Sequence, residues 1–276
     1  MRLAVKTLFL LLLLFPLFVS LVAAQVEMTH QTWQSSDFGA MAEPIRAQHD
    51  LNLLAFPGAK LARSTDADST YALTDGEIGA YGGDGRVAMH GNPSTLIYYL
   101  GKPRPIQEIR LYSGNIDSRG HQDFEIRLAN NAGNPGIIPA FPAEPTFSSG
   151  DKILGAGSGG FMSRIADKSG KPLSGDQKYD WIEFKIWRTY PSNVGDAAKS
   201  QSRANGWSAF IELQVLGDPN DPALFNSEAE RQAWLNTRAA IRFQKTLSDQ
   251  VGEDVMSALQ HPESLKRAID DLTKKY

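Results

Sequence analysis

Two short stretches with a strict two-residue rhythm constrain this chain most. Phe124, Ile126 and Leu128 alternate with Glu125 and Arg127, and Ile182, Phe184 and Ile186 alternate with Glu183 and Lys185. Successive side chains of a strand point to opposite faces, so each stretch predicts a strand with one buried and one wet face. Such half-wet strands belong to antiparallel sheets, because strands of covered parallel sheets read as continuous apolar runs. Near the end of the same region Ile211, Leu213 and Val215 point one way, and Phe210, Glu212 and Gln214 the other. Thr95 to Leu100 is a compact apolar strand, and Ile106 to Tyr112 follows the Gly101-Lys102-Pro103 turn. Residues 52–217 thus read as short strands between Gly, Pro, Asn and Asp clusters, the pattern of an all-β sandwich or barrel.

The ends of the chain differ in character. Arg2 and Lys6 precede an apolar run from Leu8 to Val22, interrupted only by Pro16 and Ser20, with Ala23-Ala24 before Gln25. This is the pattern of a secretory signal peptide over residues 1–24, cleaved near Ala24, and it predicts a secreted or periplasmic mature chain. The run is shorter than the roughly 20 apolar residues that a membrane span requires. Residues 25–51 form a lead segment. The absence of cysteine excludes a disulfide framework and a cysteine-linked lipid. An exported chain without cysteine fits a bacterial envelope or extracellular protein. A net charge of -3 gives no basic excess for capturing nucleic acid.

After Gly217 a turn-rich linker, Asp218-Pro219-Asn220-Asp221-Pro222, opens a segment of helical character over residues 218–276. Ser227 and Glu230 have capping-box spacing. Trp234, Ala240, Ile241, Leu247 and Val251 then fall on one stripe, and Pro262 can start a last helix carrying Leu265, Ile269 and Leu272. An apolar stripe needs a cover. The two expectations are the outer sheet face bearing Trp181 and Trp187, or a protein partner.

The order of the motifs carries a resemblance. Asn52-Leu53-Leu54-Ala55, Leu73-Thr74-Asp75-Gly76, Leu96 to Lys102, Ile106 to Tyr112 and Phe210 to Gly217 follow one another along residues 52–217. Together they resemble the discoidin or coagulation-factor C-type family, whose sugar-binding bacterial members are carbohydrate-binding modules. The resemblance implies a galactose-binding-like, antiparallel jelly-roll β-sandwich, followed here by the helical extension. It also implies a structural calcium held by an Asp-Gly loop and by a glutamate of the last strand, which correspond to Asp75 and Glu212. The chain departs from the family where Gly79 to Gly85 replaces the usual Thr-x-Trp after the Asp-Gly pair, and in lacking the terminal disulfide of animal relatives.

Calcium needs about six to eight oxygen ligands, which loop carbonyls and two carboxylates can supply. Asp75 reads equally as a turn residue before glycine, and Glu212 as an outer-face residue. Asp66, Asp68, Thr70 and Glu77 have EF-hand-like offsets, but Tyr71 stands where that loop requires glycine. Sugar recognition calls for an aromatic face and for planar or charged donors on loops. His90, Arg119, His121, Tyr81 and Trp207 all stand in turn-rich stretches and are the candidates. The segment Arg119-Gly120-His121-Gln122 serves equally as a loop closed by hydrogen bonds to backbone carbonyls.

Gly155 to Gly160 matches a G-x-G-x-x-G string, but a strand rather than a helix follows it, so a dinucleotide site is not indicated. No H-E-x-x-H, G-x-S-x-G or Walker sequence is present, and the histidines at 30, 49, 90, 121 and 261 lack metal-ligand spacing. The reading is therefore a non-catalytic module for carbohydrate or glycoconjugate, with a structural calcium. The alternatives are an envelope protein that docks a partner through its tail, or a glycoside hydrolase whose carboxylate pair converges only in three dimensions.

Overall fold

A computed structural model describes residues 25–67, 70–78, 87–150, 152–155, 158–190, 206–218, 221, 224–225 and 227–236. The chain divides into two compact units, Met1–Asp221 and Pro222–Tyr276. Among the described residues the first carries ten strands: β1 (Val26–Trp33), β2 (Ala59–Thr65), β3 (Val87–Met89), β4 (Ser94–Arg104), β5 (Glu108–Asn115), β6 (Phe124–Ala129), β7 (Phe147–Ser148), β8 (Gly159–Asp167), β9 (Tyr179–Ile186) and β10 (Ser208–Leu216). They form two five-stranded sheets, in the orders β1-β8-β5-β10-β3 and β2-β4-β9-β6-β7. Every pairing is antiparallel, as the alternation predicted.

The core follows from the alternation. Ile109 pairs with Val215 and Leu111 with Leu213 in the first sheet, while Leu96 pairs with Phe184 and Tyr98 with Ile182 in the second. All eight are buried. Phe124, Ile126 and Leu128 join them from β6. Gly159 and Gly160, the end of the glycine string, begin β8, so a strand does follow it.

The segment before Asn52 is built into the sandwich instead of leading up to it. β1 pairs with β8 over all eight of its residues. The chain then crosses the outer face of the first sheet as a 3-10 turn, Ser35–Met41, and a short helix, α1 (Ala42–His49). Phe38, Met41 and Ile45 pack there with Trp33, Tyr112, Met162 and Ile211 in one buried cluster. That covering changes the meaning of β10, whose nine residues are all buried on both faces. The Gln214 side-chain amide donates to the Ile45 carbonyl at 2.9 Å.

The outer face of the second sheet has a different cover. Trp181 is fully buried and stacks at a tilt on Tyr99, with ring centres 5.1 Å apart. Ile97, Ala129, and Ile138 and Phe141 of the β6–β7 connection complete its surroundings. The cover on Trp181 thus comes from the 130–146 connection of the same unit. Arg127 fixes that connection, donating to the carbonyls of Pro142 at 3.1 Å and Ala143 at 3.3 Å. Trp187 stands just past the end of β9 and is also buried.

In the second unit residues 228–236 are helical. The Ser227 hydroxyl accepts from the Glu230 N–H at 3.0 Å, so the expected N-cap is formed. The remaining stripe residues, Ala240, Ile241, Leu247, Val251, Leu265, Ile269 and Leu272, and the signal segment 1–24 lie outside the described residues. No helix among the described residues is long and apolar enough to cross a membrane.

Candidate functional site

The register brings three connections to one end of the sandwich. Ile186, the last residue of β9, pairs with Ser94 at the start of β4 and Phe124 at the start of β6. Ser208, the first residue of β10, pairs with Met89, the last of β3, and Phe210 with Ser113 near the end of β5. The β3–β4, β5–β6 and β9–β10 connections therefore share a rim. His90, Arg119, Tyr190 and Trp207 lie on them.

In the β5–β6 connection a 3-10 turn, Ser118–Gly120, is capped by Asp117, whose carboxylate accepts from the Arg119 N–H at 3.0 Å. The same carboxylate receives the Arg119 Nε at 2.8 and 2.9 Å and also binds Nη2. These hydrogen bonds raise the guanidinium pKa further above its ordinary value. One acid thus forms the turn and aims the side chain. The Ser113 hydroxyl donates to the Gly120 carbonyl at 2.6 Å. A β-carbon on Gly120 would stand 2.9 Å from the Asn115 nitrogen, so this tight return needs glycine.

The guanidinium is held between two aromatic rings. Its central carbon lies 4.7 Å from the centre of Trp207 and 4.9 Å from that of Tyr190, within cation–π range. Gly206 lets the segment before Trp207 pass close to Tyr190: its φ is +73°, and a β-carbon there would meet the Tyr190 carbonyl oxygen at 2.5 Å. His90 is exposed and its ring centre is 6.3 Å from Trp207. Tyr190 is also exposed.

A buried polar hinge sets the loops. The Thr189 hydroxyl lies 3.1 Å from the Ser118 carbonyl and 2.9 Å from the Ser208 hydroxyl, and the latter donates to the Trp187 carbonyl at 2.7 Å. These bonds tie both ends of the β9–β10 connection to the turn that carries Arg119. Nη1 of Arg119 makes no hydrogen bond among the described residues, which leaves two N–H groups for a ligand. A guanidinium fixed by one acid and two rings, beside an exposed aromatic face, suits a ligand with hydroxyls and an apolar side.

Three of the five residues expected to touch sugar come together here: His90, Arg119 and Trp207. His121 does not. It is buried, and burial pushes its imidazole pKa down to about 4. Its neighbour Gln122 is also fully buried, and its side-chain amide donates to the Leu111 carbonyl at 2.9 Å. That half of the Arg119–Gln122 segment closes the loop. Tyr81 lies outside the described residues. Tyr190 was not singled out from the sequence, because its only signal is a Thr-Tyr-Pro stretch at the mouth of a long connection.

The expected calcium ligands have unlike surroundings. Asp75 is exposed, and its carboxylate accepts from the Glu77 N–H at 2.9 Å, the turn geometry that its place before glycine suggested. Glu212 is fully buried. Its carboxylate accepts from Gly76 N at 3.2 Å and Asn52 Nδ2 at 3.4 Å, and His49 Nδ1 lies 3.6 Å away. Burial holds its pKa well above the usual carboxylate range. Nitrogen donors surround this acid, whereas a hard cation requires an oxygen shell. Among the described residues no group of three or more His, Asp or Glu side chains is arranged to hold a metal ion. The described donor set does not fit calcium.

No family model and no curated protein matches the chain. Solved structures do. CpGH89CBM32-6 produced by Clostridium perfringens is 13% identical with a TM-score of 0.37, over 60% of this chain and 99% of that one. Allantoicase from Saccharomyces cerevisiae is 11% identical with a TM-score of 0.41, over 71% of this chain and 57% of that one. The lectin binding domain of Lectinolysin, as a His 62 mutant complexed with Lewis b, is 14% identical with a TM-score of 0.34, over 60% and 96%. By their names these neighbours are a CBM32 module, an allantoicase and a lectin binding domain.

Proposed function

We propose that the chain is an exported, non-catalytic carbohydrate-binding module whose ligand sits at the rim formed by His90, Arg119, Tyr190 and Trp207. The observation that carries this reading is the Arg119 guanidinium, fixed by Asp117 between the Tyr190 and Trp207 rings with Nη1 left over. A sugar ring lays its apolar side on an aromatic face and takes donors at its hydroxyls, and the rim offers both. Asp117 neutralises Arg119, so the rim has no strong net charge and suits an uncharged glycan. The leader-like pattern of residues 1–24 supports a place outside the cytoplasm.

The test is a glycan array probed with residues 25–276 and with Arg119→Ala. Binding of a neutral glycan by the native chain, lost in the variant, supports the reading. A native chain that binds no neutral glycan contradicts it.

A further inference from the structure

We propose a second ligand site, on the outer face of the second sheet, that takes an acidic oligosaccharide. It shares no residue with the loop rim and stands or falls independently of it. An open groove of about 360 Å³ lies between the strands and the proline-rich stretch Ile138–Ala143. That volume is within the usual range for small-ligand sites.

The sheet register lays out the floor. Arg63 of β2 pairs with Ile97 of β4, Ile97 with Glu183 of β9, and Glu183 with Arg127 of β6, so the four form one row across four strands. Three inter-strand steps make this row about 14 Å long, enough for an oligosaccharide rather than one ring. Lys185 lines the groove from the next row, where it pairs with Thr95 and Glu125. The side chains of Ile138 and Phe141 form an apolar wall, and their connection is held by Arg127 through the Pro142 and Ala143 carbonyls.

Charge selects the occupant. Three cations, Arg63, Arg127 and Lys185, line the groove against two carboxylates, Glu183 in the lining and Glu125 ion-paired to Arg127, which leaves it with one net positive charge on a chain of net charge -3. Arg127 is spent on Glu125, Glu183 and the two carbonyls. Lys185 has only a 3.8 Å approach to Glu183. Arg63 is exposed, and its side chain makes no hydrogen bond or ion pair among the described residues. One aromatic side chain in the wall with spare donors at the open edge fits a chain of uronic-acid residues, a ring face on Phe141 and its carboxylates on Arg63 and Lys185.

The experiment titrates three probes into the full chain by calorimetry at low and high salt: a galacturonic acid trisaccharide, a neutral galactose trisaccharide and triglutamate. The acidic trisaccharide is expected to bind, more weakly in high salt. Arg63→Gln with Lys185→Gln should weaken it about tenfold or more, as should Phe141→Ala. Arg119→Ala should leave it unchanged. Both charge substitutions are at solvent-accessible positions, and an unchanged melting curve establishes that the double variant folds; Phe141 also covers Trp181, so its alanine variant is read beside its own melting curve. No binding of the acidic trisaccharide at millimolar concentration overturns the proposal. So does equal binding by the double variant, or equal binding of triglutamate, which would reduce the groove to a charged patch.

Discussion

The Arg119 guanidinium lies 4.7 Å from the centre of the Trp207 ring, although the two residues belong to the β5–β6 and β9–β10 connections. Nothing local to either residue causes the meeting. β5 and β10 are neighbours in the first sheet, and Thr189 bonds the start of one connection to the turn of the other. The rim is thus organised by the sheets before any ligand arrives, which lowers the ordering cost of binding.

Gly206 is the position where this organisation is most easily broken. Alanine there would adopt a left-handed backbone and meet the Tyr190 carbonyl. Gly206→Ala should cost about 1–3 kcal/mol and weaken glycan binding, because relief of the clash with the Tyr190 backbone shifts the neighbouring Trp207 from its place over Arg119. Chemical denaturation alongside a binding titration checks both. Unchanged binding would separate the rim from the ring pair.

Acid should destabilise the fold through His121. Its folded pKa, about 4, is below the ordinary histidine value of 6.5, so the unfolded chain takes up the proton first as pH falls. The stabilising contribution is complete above about pH 6.5 and is lost between there and about pH 4, amounting to at most about 3 kcal/mol. Glu212 acts in the opposite sense, since its raised folded pKa favours the folded state on the acid side. The measurement is therefore a difference: His121→Gln should flatten the loss of stability between pH 7 and 4.5. Parallel profiles for native chain and variant would contradict the assignment.

The surroundings of Glu212 predict metal independence. Its carboxylate faces Gly76 N, Asn52 Nδ2 and His49, so calcium would have to displace nitrogen contacts to reach it. Melting temperatures in EDTA and in millimolar calcium should agree. A clear rise with calcium would mean that a shell is completed by groups beyond those described, because a ligand of the folded state stabilises it by mass action.

Trp181 is covered from within its own unit, by Ile138 and Phe141. A chain ending at Asp221 should therefore fold with the Trp181 side chain still buried and associate no more than the full chain does. Circular dichroism, fluorescence quenching and light scattering on that chain check this. Association beyond that of the full chain, or a quencher-accessible tryptophan at this position, would show that the cover is incomplete.

The parts of this fold that were legible in the sequence are those set by local periodicity. The alternation at Phe124–Leu128 and Ile182–Ile186 gave the strands and their buried faces, and Ser227 with Glu230 gave the helix cap. What periodicity does not encode is which face is later covered by a distant segment. Glu212 has the pattern of a wet residue but lies under α1, whose own sequence gives no sign of its docking place. The same limit applies at the rim. His90, Arg119 and Trp207 have the right chemistry on turn-rich segments, and so does His121, yet one rotation of the backbone past Gly120 takes His121 inside. Tyr190 becomes visible only through its contact with Arg119.

The central claim is that the rim, and not another surface, recognises a neutral glycan. Isothermal titration of the best neutral array ligand into the native chain, Arg119→Ala, Trp207→Ala and Arg63→Gln tests it most directly. The account predicts saturable binding by the native chain, a loss of about tenfold or more in the first two variants, and no change in Arg63→Gln. Full affinity in both Arg119→Ala and Trp207→Ala, with their melting curves intact, would contradict it.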